Sequence, residues 1–421
     1  MGTQYAGKST RLLIQEVEPM NQFFRLISVI EAINLINRIS LPIGVEDVPL
    51  TEAYGRVLAE DILADGDIPG FDRSVKDGFA VNSADTVQAS ESAPVALTSA
   101  GRVTMGQGGN GITLRRGECA YIPTGAVLPG GADAVVMLEY CRDLGETILA
   151  GRQVFPGENI IRADEDYSRG EGVLAAGKLL NVRDVGVLAA VGASRVAVRK
   201  RPVIGIVPTG IELVPPDAVP DAGDVRDVNS YLCSAFVQER GGIPRNYDIV
   251  RDEPAHLTAV LESALEECDA ILITGGSSKD DRDIVADVIE SLGEVLAHGI
   301  ALAPGKPTII GTIGHAPVIG IPGHPASTMV VLSVLAAPLL QSLSGCTGRR
   351  EMKQKAVLTQ NIPSERGREE YVRVKLIGDE AVPLFGKSGL LNTLVQSDGL
   401  VRILQGYEGL EAASEVDVTL W

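Results

Sequence analysis

Apolar residues recur along this chain with a changing period, and each change predicts a change of element. Within 22–38, Phe23, Phe24, Ile27, Ile30, Ile33, Leu35 and Ile36 fall near helical spacing, which predicts an amphipathic helix. Residues 45–50 follow, and 56–63 reads as a helix turning into a strand. From Pro69 to about Pro156, short apolar runs at 95–97, 119–122 and 134–137 alternate with Gly-rich turns, the pattern of a small β domain. Residues 173–180 and 185–191 return to mixed structure and end in the alternating stretch 195–199.

Between 201 and 345 the pattern is regular. Strands at 203–207, 247–250, 270–274 and 318–321 alternate with helices at 229–240, 254–267, 283–292 and 325–344. Such alternation predicts a parallel sheet covered on both faces. A basic hinge at 347–355 then leads into alternating runs at 370–376, 400–404 and 415–420, which predict a small β-barrel-like domain. The expected fold is therefore a multidomain α/β plus β protein. An N-terminal mixed domain takes 20–66 and 160–200, and a β-rich inserted domain takes 67–159. The α/β domain takes 201–346, and the barrel-like domain takes 347–421.

Composition narrows the chemistry. A chain of 421 residues exceeds one ordinary core. Aromatic residues are only 4%, so Val, Ile, Leu and Ala must build the cores, as suits strands buried on both faces. The net charge of −18 excludes nucleic acid and anionic membranes as expected partners. It also means that a phosphate site must be built from backbone amides, helix N-termini and a few placed cations. Five cysteines, without a C-x-x-C pair, argue for a reducing compartment over a disulfide framework, and the four histidines show no metal-ligand spacing. The longest apolar stretches are taken to fall short of the roughly 18 residues of a membrane span. Residues 1–19 read as a polar leader, with Met20 as an alternative start, and not as a signal peptide. A cytoplasmic protein is expected.

Four loops of the 201–345 segment carry small, polar or cationic residues: 208–212, 274–278, 304–307 and 322–327. In an open α/β sheet they would converge at the carboxyl edge, where ligands bind. Thr274-Gly275-Gly276-Ser277-Ser278 is the best phosphate cradle, since paired glycines admit backbone N–H groups and the serines add donors. For that loop alone, a plain strand-to-helix turn is the stronger reading. Lys306, between Gly305 and Pro307, is either an anion contact or a solvated lysine. Asp283 opens a helix and so reads first as a cap. With Asp280, Asp281 and the more distant Glu212 it also forms a carboxylate set suited to a divalent cation such as Mg²⁺.

Taken in order, several segments resemble the molybdopterin molybdenumtransferase family, which includes the C-terminal domain of gephyrin. They are 67–80 (Asp-Ile-Pro-Gly-Phe-Asp-Arg-Ser-Val-Lys-Asp-Gly-Phe-Ala), 123–126 with 131–139, 157–160, 274–278, 304–307 and 322–325. The likeness runs over roughly 22–421. It implies an elongated homodimer of four-domain subunits that inserts molybdate, or tungstate, into adenylylated molybdopterin. AMP and finished cofactor are released, a divalent cation takes part, and each active site is shared between subunits. By position in the family pattern, Asp77, Thr124, Glu212, Asp283 and Lys306 match residues important for activity. Arg373, Ser397 and Ser327 match residues near an oxyanion pocket, and Gly305, Pro322 and Gly323 fall in matched loops. Contact with other cofactor-assembly enzymes is a further expectation.

The chain departs from the family pattern at Ile211, where an acidic residue is usual, at Lys279-Asp280, at Ala303, where a basic residue is common, and within 159–166. These departures keep two alternatives open: a non-catalytic cofactor-binding or scaffold paralogue, and a molybdopterin adenylyltransferase. Enzymes of the latter kind resemble the 201–345 segment alone.

Overall fold

The computed structural model describes residues 26–108, 111–275, 283–348 and 351–421. The chain divides into two compact units, one of Met1–Gly44 with Lys200–Trp421 and one of Val45–Arg199.

The first unit holds the expected α/β sheet. Its six strands run in the order Ile243–Asn246, Val203–Pro208, Ala270–Thr274, Ala316–Ile321, Ile309–Ile313, Glu294–His298. Strict alternation along the central strands sends Ile204, Ile206, Ala270, Leu272, Ile319 and Ile321 into one core, where Val29, Ile36, Phe236, Val330 and Leu335 meet them. Val207, Ile271, Ile273 and Val318 face the opposite core with Leu257, Leu261, Val285 and Val288. Both faces are covered, which is why these strands read as unbroken apolar runs. The first four strands are parallel, as expected, whereas Ile309–Ile313 and Glu294–His298 add an antiparallel pair that the sequence pattern left unassigned. Two antiparallel steps restore direction, so Glu294–His298 ends on the same edge as Ala316–Ile321.

Three element expectations need correction. The strand expected at 247–250 lies four residues earlier, at Ile243–Asn246. The amides of Ile243 and Tyr247 donate to the carbonyls of Pro202 and Ile206, so Pro244 occupies an outward position of an edge strand, where a missing N–H costs nothing. Residues 56–59 form no helix; Val57 and Leu58 make isolated bridges to Leu179 and Val198, and a strand follows at Ile62–Leu63. The helix at 325–344 is three pieces, Pro325–Val331, a π turn at Leu332–Ala336, and Ala337–Leu343. Pro338 has no N–H for the carbonyl one turn earlier, and a π turn absorbs that loss. This stretch also overturns the expectation on apolar length. Pro325–Leu343 is long and apolar enough to cross a membrane, yet 67% of its most apolar window is buried inside the fold, as a core helix would be.

The amphipathic helix near the N-terminus runs over Val29–Ile39, started by a capping box between Ser28 and Glu31. It packs in the same core as the sheet. The last segment forms a second six-stranded sheet in which Glu369–Ile377 pairs with both Glu380–Pro383 and Gly399–Ile403, closing a barrel. Its interior holds Ala356, Leu358, Val374, Ala381, Val401 and Val418.

The second unit carries its own six-stranded sheet, ordered Ala134–Met137, Gly78–Val81, Glu118–Ile122, Val95–Arg102, Thr147–Ala150, Cys141–Asp143. Three short ladders tie its flanks: Val45–Pro49 with Arg195–Arg199, Ile62–Leu63 with Gly172–Leu174, and Arg73–Ser74 with Ile160–Ile161. All five cysteines are free thiols, four of them buried.

Candidate active site

Parallel strands place their carboxyl ends on one edge, and the loops leaving that edge interlock. The Thr209 amide donates to the Thr274 carbonyl at 2.8 Å, and the Gly275 amide donates to the Ile321 carbonyl at 3.0 Å. Gly275 has φ +97°, and a Cβ there would lie 2.0 Å from the Thr209 carbonyl oxygen. Only glycine lets the two loops approach this closely. A Cβ on Gly323 would sit 3.9 Å from the Gly275 Cα, so the Pro322-Gly323 turn borders the same cradle. Residues Gly276, Ser277 and Ser278, with Lys279, Asp280 and Asp281, lie outside the described residues.

Asp252 and Asn229, which the sequence did not single out, join this edge. Thr209 donates its hydroxyl to Asp252 at 2.8 Å. The Asn229 side-chain amide donates to the Gly323 carbonyl at 2.7 Å, which leaves its own carbonyl oxygen buried and without a partner among the described residues. Asp252 precedes a Pro-started helix and Asn229 begins one, so in the sequence both read as helix-terminal residues. Beside them opens a cavity of about 390 Å³ lined by Pro208, Asp227, Tyr231, Asn246 and Asp248 among others.

Asp283 caps the helix Ile284–Leu292, one oxygen accepting from the Ala286 amide at 3.3 Å. Its other oxygen lies 3.1 Å from His298 Nε2 at the end of Glu294–His298. Glu212 is exposed on the 209–213 loop, next to Ile211, which is 75% exposed. The carboxylate-plus-cation set is thus spread along the edge. Among the described residues no three His, Cys, Asp or Glu side chains converge on one point.

The Lys306 loop is built differently. Leu302–Ala303 pairs in parallel with Glu369 and Glu370, so the barrel strand Glu369–Ile377 lies alongside the Pro304-Gly305-Lys306 turn. Gly305 has φ +129°, its carbonyl accepts from the Thr308 hydroxyl at 2.6 Å, and the Lys306 carbonyl accepts from the Ile300 amide at 2.8 Å. The backbone is tied down while the Lys306 side chain is exposed. Farther along the same barrel strand stands Arg373, only 8% exposed. One guanidinium nitrogen donates to the Gly386 carbonyl at 3.1 Å, and Nε has no partner among the described residues. Burial alone pulls its pKa down, and among the described residues no carboxylate pairs with it.

The loop that Arg373 touches reaches back to the α/β edge. The Ser388 carbonyl accepts from the Ala326 amide at 3.0 Å, and its hydroxyl lies 3.1 Å from His324 Nδ1. The barrel loop bonded to Arg373 thereby meets the start of the helix that carries the buried Ser327, and the buried Ser397 precedes Asp398, whose amide bonds the Val374 carbonyl next to Arg373. A buried guanidinium without a counter-charge is costly. The arrangement suits an anion with several oxygens.

In the second unit, Asp77 and Thr124 form one local group. The Thr124 amide donates to Asp77 Oδ1 at 2.7 Å, and the Asp77 carbonyl accepts from the Leu138 amide at 3.0 Å. Gly78 follows, where a Cβ would fall 2.1 Å from the Val136 carbonyl oxygen. The carboxylate therefore braces the Pro123-Thr124 turn and keeps its second oxygen for another partner.

Comparison with known proteins accounts for this order of parts. Residues 27–192 match a family model described as MoeA N-terminal region (domain I and II). Residues 205–342 match a probable molybdopterin binding domain, and residues 355–421 match the MoeA C-terminal region (domain IV). A molybdopterin molybdenumtransferase from Nostoc is 30% identical, covering 91% of this chain and 90% of that protein. The chain belongs to the molybdopterin molybdenumtransferase family. A putative molybdopterin biosynthesis protein of Methanocaldococcus jannaschii is 35% identical over 89% of this chain and 92% of its own length. Among solved structures, a molybdopterin biosynthesis MoeA protein of Pyrococcus horikoshii superimposes with a TM-score of 0.81 at 37% identity. That match covers 94% of this chain and 99% of the other. The multidomain fold expected from the resemblance is therefore correct.

Proposed function

We propose that this protein inserts molybdate, or tungstate, into adenylylated molybdopterin, releasing AMP and finished cofactor, in the cytoplasm and as a homodimer. The observation that carries the reading is Arg373, a buried cation that no carboxylate among the described residues pairs with, bonded to the loop that meets the start of the helix bearing Ser327. Family members named molybdopterin molybdenumtransferase support it along nearly the whole chain. Their coverage also weighs against an adenylyltransferase, which would need only the α/β part.

In this reading Gly275 sets the close approach of the loops, and Gly276, Ser277 and Ser278 after it cradle the substrate's phosphates through backbone N–H groups and hydroxyls. Pro322 and Gly323 wall the cradle. Arg373, Ser397, Ser327 and Lys306 neutralise and orient the molybdate dianion. Asp283 and Glu212 are the carboxylates available to Mg²⁺. Because no three His, Cys, Asp or Glu side chains among the described residues converge there, such a cation would be held largely by the phosphates and water. When bound, it supplies neutralisation of phosphate charge. Asp77 and Thr124 would complete the site from the partner subunit.

Purified protein given adenylylated molybdopterin, molybdate and Mg²⁺ should release AMP in step with active cofactor. Arg373→Gln should raise the molybdate requirement by about one to two decades, the worth of a charge-assisted contact. Ile211 and Ala303 favour the alternative of a scaffold that binds cofactor without turnover. Pterin binding with no AMP release, at any molybdate concentration, would establish that alternative instead.

A further inference from the structure

We infer that Trp421 is a positioning residue of the Arg373 pocket, its indole N–H holding the Ser397 hydroxyl so that Ser397 can turn its proton onto a bound tetrahedral oxyanion. The inference rests on the oxyanion reading of that pocket.

Trp421 is the single tryptophan of the chain. Its Nε1–H donates to Ser397 Oγ at 3.0 Å, and its backbone amide donates to the Asp398 carbonyl at 3.3 Å. From the other side, the Asp398 amide donates to the Val374 carbonyl at 2.9 Å, and the Asp398 carboxylate accepts from the Leu376 amide at 2.7 Å. The Ser397-Asp398 step is thus pinned between Trp421 and the strand that carries Arg373. The ring itself packs against the core beneath the Pro325–Leu343 helices.

A serine hydroxyl has one proton and two lone pairs. Here the proton goes to the Leu394 carbonyl at 2.9 Å, and the indole occupies one lone pair. The Leu394 carbonyl also accepts from the Ser397 amide at 3.3 Å, so it keeps a partner when the hydroxyl proton leaves. Rotation about Cβ–Oγ then frees the proton for an anion held by Arg373. A hydroxyl that accepts a hydrogen bond is also a better donor, so the indole strengthens the contact it positions. Packing alone would not ask for the N–H, because phenylalanine could fill the same space.

The test uses the full chain with tungstate as probe, read by calorimetry and by the emission of the sole tryptophan. Wild type should show a saturable change in Trp421 emission that tracks the calorimetric isotherm. Trp421→Phe should weaken tungstate about three- to tenfold, the worth of one neutral hydrogen bond. Ser397→Ala should weaken it at least as much, and the double variant should be no worse than Ser397→Ala alone, since Trp421 acts through that hydroxyl. Additive losses, or an unaltered affinity in Trp421→Phe, would overturn the inference. Because the cycle makes the Trp421→Phe change both with and without Ser397, it still decides if that change lowers stability. Undiminished binding by Arg373→Gln is a separate result: it would remove the oxyanion pocket itself, whatever Trp421 does.

Discussion

At the scale of single residues, the site is defined by places where one atom more or less changes the outcome. Gly275 is the clearest. An alanine there would have to hold φ near +97° and place its Cβ 2.0 Å from the Thr209 carbonyl oxygen, so the loop must move. The left-handed backbone alone costs roughly 1–2 kcal/mol in a non-glycine residue. Gly275→Ala is therefore expected to lower the thermal midpoint and to weaken AMP binding at least tenfold by calorimetry; full AMP affinity would show that the cradle is elsewhere. A tight turn at these glycines was legible in the sequence, because Thr-Gly-Gly after an apolar run marks the end of a strand, whether or not a ligand sits there. Arg373 was legible only through the family likeness. In Glu-Glu-Tyr-Val-Arg-Val-Lys it reads as one more charge on an alternating strand, and nothing local says that the barrel closes over it. Asn229 and Asp252 were missed for the same reason: each looks like the start of a helix, and their partners lie 94 and 43 residues away.

At the scale of elements, the question is which roles a residue can hold at once. Asp283 caps a helix and faces His298, so loss of activity in an alanine variant would not separate folding from chemistry. Asparagine caps as well as aspartate does, and it carries no charge. Asp283→Asn should keep the thermal midpoint close to wild type and still bind AMP, while AMP release in turnover falls by two decades or more at limiting Mg²⁺. Turnover near the wild-type rate would reduce Asp283 to a cap. The elements that sequence reading misplaced share a cause. Pro244 looks like a strand breaker until the strand is known to be an edge. The 309–313 and 294–298 strands sit between helices and Gly-rich turns, where apolar runs of this length have no distinguishing period.

At the scale of the whole molecule, the proposed dimer makes a prediction that neither unit makes alone. Asp77 lies in the Val45–Arg199 unit and Asp283 in the other, yet the family resemblance implies a part in activity for both. If each active site takes Asp77 from one subunit and Asp283 from the other, Asp77→Ala and Asp283→Asn should each be nearly inactive. Mixed and allowed to exchange subunits, they should form heterodimers with one intact and one doubly damaged site. Random pairing makes about half of the dimers mixed, so activity should recover to about a quarter of wild type. No recovery, with exchange demonstrated by differential labelling, would place both residues in one subunit's site or make Asp77 purely structural.

The sequence by itself determined the family, the alternation of strands and helices between 201 and 345, and the identity of the turns where glycine is obligatory. Those properties depend on local backbone sterics and on the burial period of side chains, which neighbouring residues set. Tertiary structure alone decided that the Pro304 turn lies along a barrel strand, that Arg373 is buried with no counter-charge among the described residues, and that Trp421 reaches Ser397. The Leu302–Glu369 pairing spans 67 positions and the Trp421–Ser397 bond spans 24. Contacts at such separations exist only once the sheet has folded and the barrel has closed, because no local preference specifies which distant strand will arrive.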